Sequence, residues 1–220
     1  MVDRHTVRRS YDDLAGSYAE YRSPGDGTAV LREFLDAGSP ERVLDAGCGN
    51  GRPILARLAE SVDPVGLDHS WGMLRAAREH VAAPLLRGDM TRLPFATESF
   101  DAVVAYWSLI HLPLADHVTA IEEFARVLRP GGRALVCEGT QPWVGENPDW
   151  LDGVEMEWAI AGAERTREQL RDAGFAVTGT RGVPETLGEG EDEDEGEDED
   201  GSDLGDDDPA WTFLAAELTD

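Results

Sequence analysis

The stretch VLDAGCGNGRP, Val43 to Pro53, is a short apolar run that breaks into glycines at alternate positions, Gly47, Gly49 and Gly51. A glycine-rich turn after a strand most often cradles phosphate, because backbone N–H groups and a helix N-terminus favour anions. Here Asp45 stands directly before the glycines, and its carboxylate opposes a phosphate at that place. The dinucleotide fingerprint G-x-G-x-x-G also fails, since position 52 is Arg and the spacing is G-x-G-x-G. A ligand with a positive head group suits this turn better than a pyrophosphate.

Outward from this turn, short apolar runs alternate with helical stretches. Strands are expected at 42–45, 65–68, 85–87, 100–106 and 133–138, with two late ones at 176–181 and 211–218. Helices are expected at 10–22, carrying Tyr11, Tyr18 and Tyr21, and at 28–35. Another follows the glycine turn as far as Ala59, with Pro53 tolerated near its start. Ser70 is placed to cap the next helix, and a further one spans 116–128 before the RPGG stop at 129–132. Thr166 to Gln169 reads as a capping box opening the last helix, which ends at Gly174. Strand–helix alternation at this spacing predicts an α/β fold, a doubly wound and mostly parallel seven-stranded sheet. Ligands bind such sheets beyond the carboxyl ends of the strands, which puts Asp45, Asp68, Asp89 and Tyr106 along one edge.

The whole chain narrows the classes of function. Its 220 residues suit a single domain, and at 41% hydrophobic it can bury a core. The longest apolar run, Ala102 to Ile110, falls well short of the ~18 residues of a membrane helix. Arg8-Arg9 is followed by YDDLAGS rather than an apolar segment, so no export signal is read and the cytoplasm is expected. The two cysteines, Cys48 and Cys137, read as free buried thiols of a reducing compartment. Net charge is −26, and every one of the 19 basic residues is Arg. Residues 185–208 hold 15 acids and no base, yet outside them 30 acids still face those 19 arginines. An acidic body repels nucleic acid and anionic membranes, so neither is an expected partner. The pattern resembles proteins of salt-accumulating halophiles, in which molar salt screens self-repulsion. The acidic tract reads as a disordered solvated insertion, 185–209; an EF-hand reading fails because Ser202 would stand at its twelfth position. No metal site is expected.

Asp45, Asp68 and Asp89 fall at successive strand ends, 23 and 21 residues apart. An acid after the second strand can accept from both hydroxyls of a ribose, and one after the third from an adenine amino group. One molecule combines adenine, ribose, a sulfonium and an amino-acid head: S-adenosylmethionine.

At this point the chain resembles the class I S-adenosylmethionine-dependent methyltransferases, and among them the small type 11 group. The residues that carry the likeness are VLDAGCGNG (43–51), VGLDHSWGML (65–74), RGDMTRLPF (87–95), FDAVVAYWSLIHL (100–112) and EEFARVLRPGGRALV (122–136), within a match running from about Tyr11 to Leu218. The resemblance implies one Rossmann-like domain over 1–220 whose last strand is antiparallel. It implies N-terminal lid helices at 1–36 and an acceptor-pocket segment at 141–165. It further implies that Gly47 and Gly49 pass under the methionine part of the cofactor and that Asp45 holds its ammonium. Asp68 would take the ribose, Asp89 and the Met90 N–H the adenine, with Met73 and His69 beside them and Tyr106 near the sulfonium. Tyr18 is a lid contact on the cofactor, and Tyr11, Trp143 and Trp158 are candidates to hold the acceptor, with Met156-Glu157-Trp158 similar to a family stretch lining that pocket. Simple packing onto the sheet or within the lid is the competing reading for the tyrosines and tryptophans.

Methyl transfer from a sulfonium needs positioning and exclusion of water, and a base only where the acceptor must lose a proton. His111 is the best candidate, with a packed loop histidine as the alternative; Glu138 faces the same rim as base or structural acid. His117 is expected on the helix surface or in solvent. The expected activity is methyl transfer to a small molecule by a monomer or homodimer. A nicotinamide-dependent oxidoreductase and a non-catalytic binder of S-adenosylmethionine are the rival readings.

Overall fold

The computed structural model describes residues 2–21, 27–183 and 209–219. Its first half runs α1 (Arg4–Leu14), α2 (Thr28–Gly38), β1 (Arg42–Ala46), α3 (Ile54–Leu58), β2 (Asp63–Asp68), α4 (Trp71–His80) and β3 (Leu85–Arg87). Its second half runs β4 (Phe100–Ala105), α5 (Leu114–Val127), β5 (Leu128–Gly139), β6 (Trp143–Leu151), β7 (Val154–Ile160), α6 (Ala163–Asp172), β8 (Phe175–Val183) and β9 (Trp211–Leu218).

Every residue of β1 after Arg42 is buried, as a strand covered on both faces requires. Around it the seven-stranded sheet is ordered β3-β2-β1-β4-β5-β9-β8. The first five strands pair in parallel, and β9 runs antiparallel to both β5 and β8. The Rossmann-like α/β sheet with its antiparallel last strand is therefore as expected. Alternation along the strands sorts the core. Leu44, Val103, Ala134 and Val136 pack with Phe124 of α5 and Leu170 of α6 on one face. Val43, Val104 and Leu135 pack with Phe34 of α2 and Leu58 of α3 on the other. Chain order reverses between β1 and β4, so a crevice opens beyond their carboxyl ends.

Several boundaries differ from those read in the sequence. The helix expected at 10–22 begins at Arg4, where the Asp3 side chain accepts from the His5 N–H, and stops at Leu14; a 3₁₀ turn, Tyr18–Tyr21, follows. Thr166 opens no helix. It lies inside α6, whose first residue is Ala163, and its hydroxyl is spent on Glu138. The segment 141–165 is largely a hairpin, β6 paired antiparallel with β7. Asp152-Gly153 turns it with both φ angles positive, 52° and 76°, the left-handed pair that a two-residue hairpin loop favours. The hairpin lies on α1: Val7, Leu14, Tyr18, Met73, Met156 and Ala159 form a small apolar cluster apart from the sheet core. Asp152 clasps it by accepting from the hydroxyls of Ser17 and Tyr21, each at 2.5 Å. Of the acidic insertion expected at 185–209, all but Pro209 lies outside the described residues.

Candidate active site

The glycine turn sits at the crevice. The N–H groups of Gly47 and Cys48 both donate to the Leu67 carbonyl, at 2.7 and 3.0 Å, which folds the turn back across β2. Gly47 has φ 89°, and a Cβ there would lie 2.3 Å from that of Ser108, so only glycine fits. Gly49, φ 54°, has open space where a Cβ would stand, so its backbone is bare to the crevice. Asp68 orders this arrangement: one carboxylate oxygen accepts from the Gly49 N–H and the other from the Ser70 N–H, each at 2.8 Å. Each oxygen keeps capacity for a further donor. Ser70 also caps α4, as expected, by accepting from the Met73 N–H at 3.0 Å.

Below the cap of α1 and the hairpin, a cleft encloses about 900 Å³ of empty space, counted to its open mouth. Asp45, Gly47, Gly49, Asp68, His69 and Met73 line it from the scaffold. Met90, Tyr106 and His111 continue the wall, and Tyr11 and Tyr18 close it from the cap. The structure thus brings together eleven of the residues singled out from the sequence. It adds Arg4, Val7 and Arg8 of α1, and Asn50, Ser108 and Leu112 of the scaffold. The α1 residues were missed because RHTVRRS holds a single apolar residue, Val7, whose helical spacing with Tyr11 and Leu14 shows only when the helix is begun at the Asp3 cap. Ser108 lies in a quoted motif, but only the fold shows its hydroxyl fixed on the Ala46 carbonyl at 2.7 Å.

Asp45 is buried, and its Oδ2 has no hydrogen-bond partner among the described residues. Burial, with the charge of Asp68 beside it, pushes its pKa up to about 8. Burial likewise raises that of Asp68, against its backbone hydrogen bonds. An orphaned buried carboxyl oxygen beside a bare glycine turn fits a cationic head group and opposes a pyrophosphate. By this test the residues present fit S-adenosylmethionine.

Four expected site residues stand elsewhere. Asp89 lines a neighbouring groove, not the cleft, with Arg4 and His69 lining both. Arg4 holds it at 2.5 Å and reaches Asp116 at 2.9 Å. Burial pushes the Asp89 carboxyl up, but the Thr91 hydroxyl and N–H, with Arg4, more than offset this and hold it below its ordinary value. Glu138 is not on the rim. It shares the strand face of Ala134 and Val136, so alternation buries it beneath α5 and α6, 0% exposed. There it accepts from the Gly139 N–H at 3.0 Å and the Thr166 hydroxyl at 3.1 Å, and burial pushes its pKa to about 7. His117 is not at the surface either. It is fully buried, its Nε2 donating to the Leu112 carbonyl at 3.2 Å and its Nδ1 3.8 Å from Glu138. Trp143, 50% exposed, lies in an outer groove with Leu114 and Val144, because the hairpin turns β7 inward and leaves β6 outside. Trp158 does not line the cleft but backs it, its ring 6.2 Å from that of His111.

Residues 43–132 match a protein family described as a methyltransferase domain. A stretch of 108 residues, 49% of this chain, is 45% identical to a demethylmenaquinone methyltransferase of Mycobacterium sp. (strain KMS), of which it covers 46%. The chain thus spans just under half the length of that curated relative. Among solved structures, the CcbJ methyltransferase of Streptomyces caelestis superposes with a TM-score of 0.70 at 16% identity, over 96% of this chain and 98% of that one. The [4+2]-cyclase SpnF superposes with a TM-score of 0.67 at 22% identity, over 97% and 95%. At such identities these two likenesses are of fold. The family match covers fewer than half of the 220 residues, and over that stretch the chain is similar to a methyltransferase domain.

Proposed function

We propose that the protein transfers a methyl group from S-adenosylmethionine to a small molecule by in-line displacement. The observation that carries this is the orphaned Asp45 oxygen, buried at the glycine turn of a cleft at the switch point. Asp45 would take the ammonium, Gly47 and Gly49 the methionine chain, and Asp68 the ribose hydroxyls through its remaining lone pairs. Met73, Met90 and His69 would line the adenine end and Tyr106 the sulfonium end. When bound, the cofactor supplies an electrophilic methyl group on a sulfonium. The chain supplies orientation and, through the cap of α1 and the hairpin, exclusion of water. Asp89 would reach an adenine amino group only after exchanging Arg4, so we assign it to ordering the cap at this end.

The name of the mycobacterial relative supports a small-molecule acceptor. The acid excess supports a partner other than nucleic acid or an anionic membrane, and no helix among the described residues is long and apolar enough to cross a membrane. Two buried thiols without a disulfide support a reducing, cytoplasmic setting. We propose a monomer or homodimer. The SpnF likeness makes a cyclase on this fold the second reading. Incubation with methyl-labelled S-adenosylmethionine and a panel of small acceptors separates the two, since only methyl transfer leaves label in the product.

A further inference from the structure

The wall of the cleft also carries a hydrogen-bonded pair, Tyr11 and His111, to which the proposed cofactor contacts assign no role. His111 sits in the 3₁₀ turn Leu109–His111 after β4. Its Nδ1 lies 3.2 Å from the Glu157 carbonyl oxygen of the hairpin. That oxygen can only accept, so Nδ1 carries the proton and Nε2 presents its lone pair. The Tyr11 hydroxyl donates to Nε2 at 2.8 Å. The two rings meet edge to face, 5.2 Å apart at 88°. A phenol of the protein itself is therefore seated on the imidazole lone pair, inside the cleft. Tyr18, 5.5 Å from Tyr11, lines this end with it, and Trp150, 6.3 Å from Tyr11, packs on that ring.

We propose that His111 is the catalytic base and that the acceptor is a phenol, a planar ring whose hydroxyl replaces that of Tyr11 on His111 Nε2. This rests on the methyltransferase reading above and adds the acceptor class and the proton's destination. A phenol ionises near ~10, as tyrosine does, so at neutral pH it attacks well only if its proton is removed. An aromatic amine such as aniline is already neutral at pH 7, attacks with the lone pair it has and needs no such group. In the step, the acceptor's O–H bond breaks and its proton moves to Nε2. The oxygen forms a bond to the methyl carbon, and the carbon–sulfur bond breaks with its electron pair staying on sulfur. The products are an aryl methyl ether, a neutral thioether and an imidazolium, which returns its proton to water. The Glu157 carbonyl positions the ring and favours the imidazolium, because it accepts from Nδ1–H throughout. Tyr11 must withdraw for the acceptor to enter, and it sits on the cap helix α1 rather than on the sheet.

The test measures S-adenosylmethionine binding by calorimetry and then turnover with phenol, 2-naphthol, 4-nitrophenol and aniline. The whole chain is used, alongside His111→Gln and Tyr11→Phe. We expect methylation of the phenolic oxygens. His111→Gln keeps cofactor affinity within about twofold but loses roughly 10²–10⁴-fold in kcat on phenol and 2-naphthol. It loses far less on 4-nitrophenol, which ionises near neutrality unaided. Tyr11→Phe lowers KM for the phenols, since the competing hydroxyl is gone. An equal loss on all three phenols would mean that His111 is structural. Transfer to aniline alone, or bound cofactor with no phenol methylated, would overturn the acceptor class. Absence of cofactor binding in the unaltered chain would instead remove the methyltransferase reading beneath it.

Discussion

Asp45 at pH 7 is mostly a neutral acid, because burial holds its pKa at about 8. A cationic head group beside it would favour the carboxylate and expel most of one proton. The binding enthalpy of S-adenosylmethionine should therefore vary with the ionisation enthalpy of the buffer, and in Asp45→Asn it should not. The same shift acts on folding. An acid whose pKa is raised on folding lowers stability as pH climbs past its unfolded value, and the whole cost is present above its folded value. Glu138, folded pKa about 7 from an ordinary 4.5, gives the cleaner case, since it lies away from the cleft. Glu138→Gln should match the parent in denaturant titrations near pH 4. It should then gain on it up to about pH 7, by at most ~3 kcal/mol. Asp68→Ala removes one charge-assisted hydrogen bond from the glycine turn and one from the Ser70 cap, together with the proposed ribose contact, and should weaken cofactor binding roughly tenfold or more.

Among elements, the cap depends on one close approach. The Asp12 carboxylate of α1 accepts from the Ser70 hydroxyl at 2.7 Å and the Gly72 N–H at 2.8 Å. Burial pushes that carboxyl up, but these hydrogen bonds and the Arg8 guanidinium hold it below its ordinary value. A Cβ on Gly72 would lie 2.8 Å from the Asp12 carbonyl oxygen and 2.9 Å from the Ala15 side chain. Gly72→Ala should thus lift α1 while the sheet stays folded, read as faster proteolysis within 4–21 at unchanged circular dichroism. The scaffold under the cap was legible in the sequence because each strand end carries its acid and each following turn its own signal: the glycines after Asp45, the capping Ser70 after Asp68. The cap was not. Gly145, Asn147 and Pro148 disguise β6, although the alternation Val154, Met156, Trp158 and the Asp152-Gly153 turn were signals for the hairpin. Arg4 gave none, since its hold on Asp89 and Asp116 joins elements distant in the chain. Strand alternation from Val136 could have buried Glu138, but a strand end read without its face leaves that choice open.

For the whole molecule, charge is the dominant fact. With 30 acids facing 19 arginines outside the acidic tract, self-repulsion opposes the folded state at low salt. We propose adaptation to high salt on this ground, and expect the melting temperature to rise from low to molar KCl, where the Debye length falls to ~3 Å. A flat or falling curve would remove that proposal. The ligand of the cleft is read out by calorimetric titration of the folded chain in molar KCl. S-adenosylmethionine, S-adenosylhomocysteine and NAD are compared in parallel. Micromolar binding of the first two and none of NAD is expected, because the unpartnered buried oxygen of Asp45 suits a cationic head group and not a pyrophosphate. Binding of NAD without S-adenosylmethionine would contradict it.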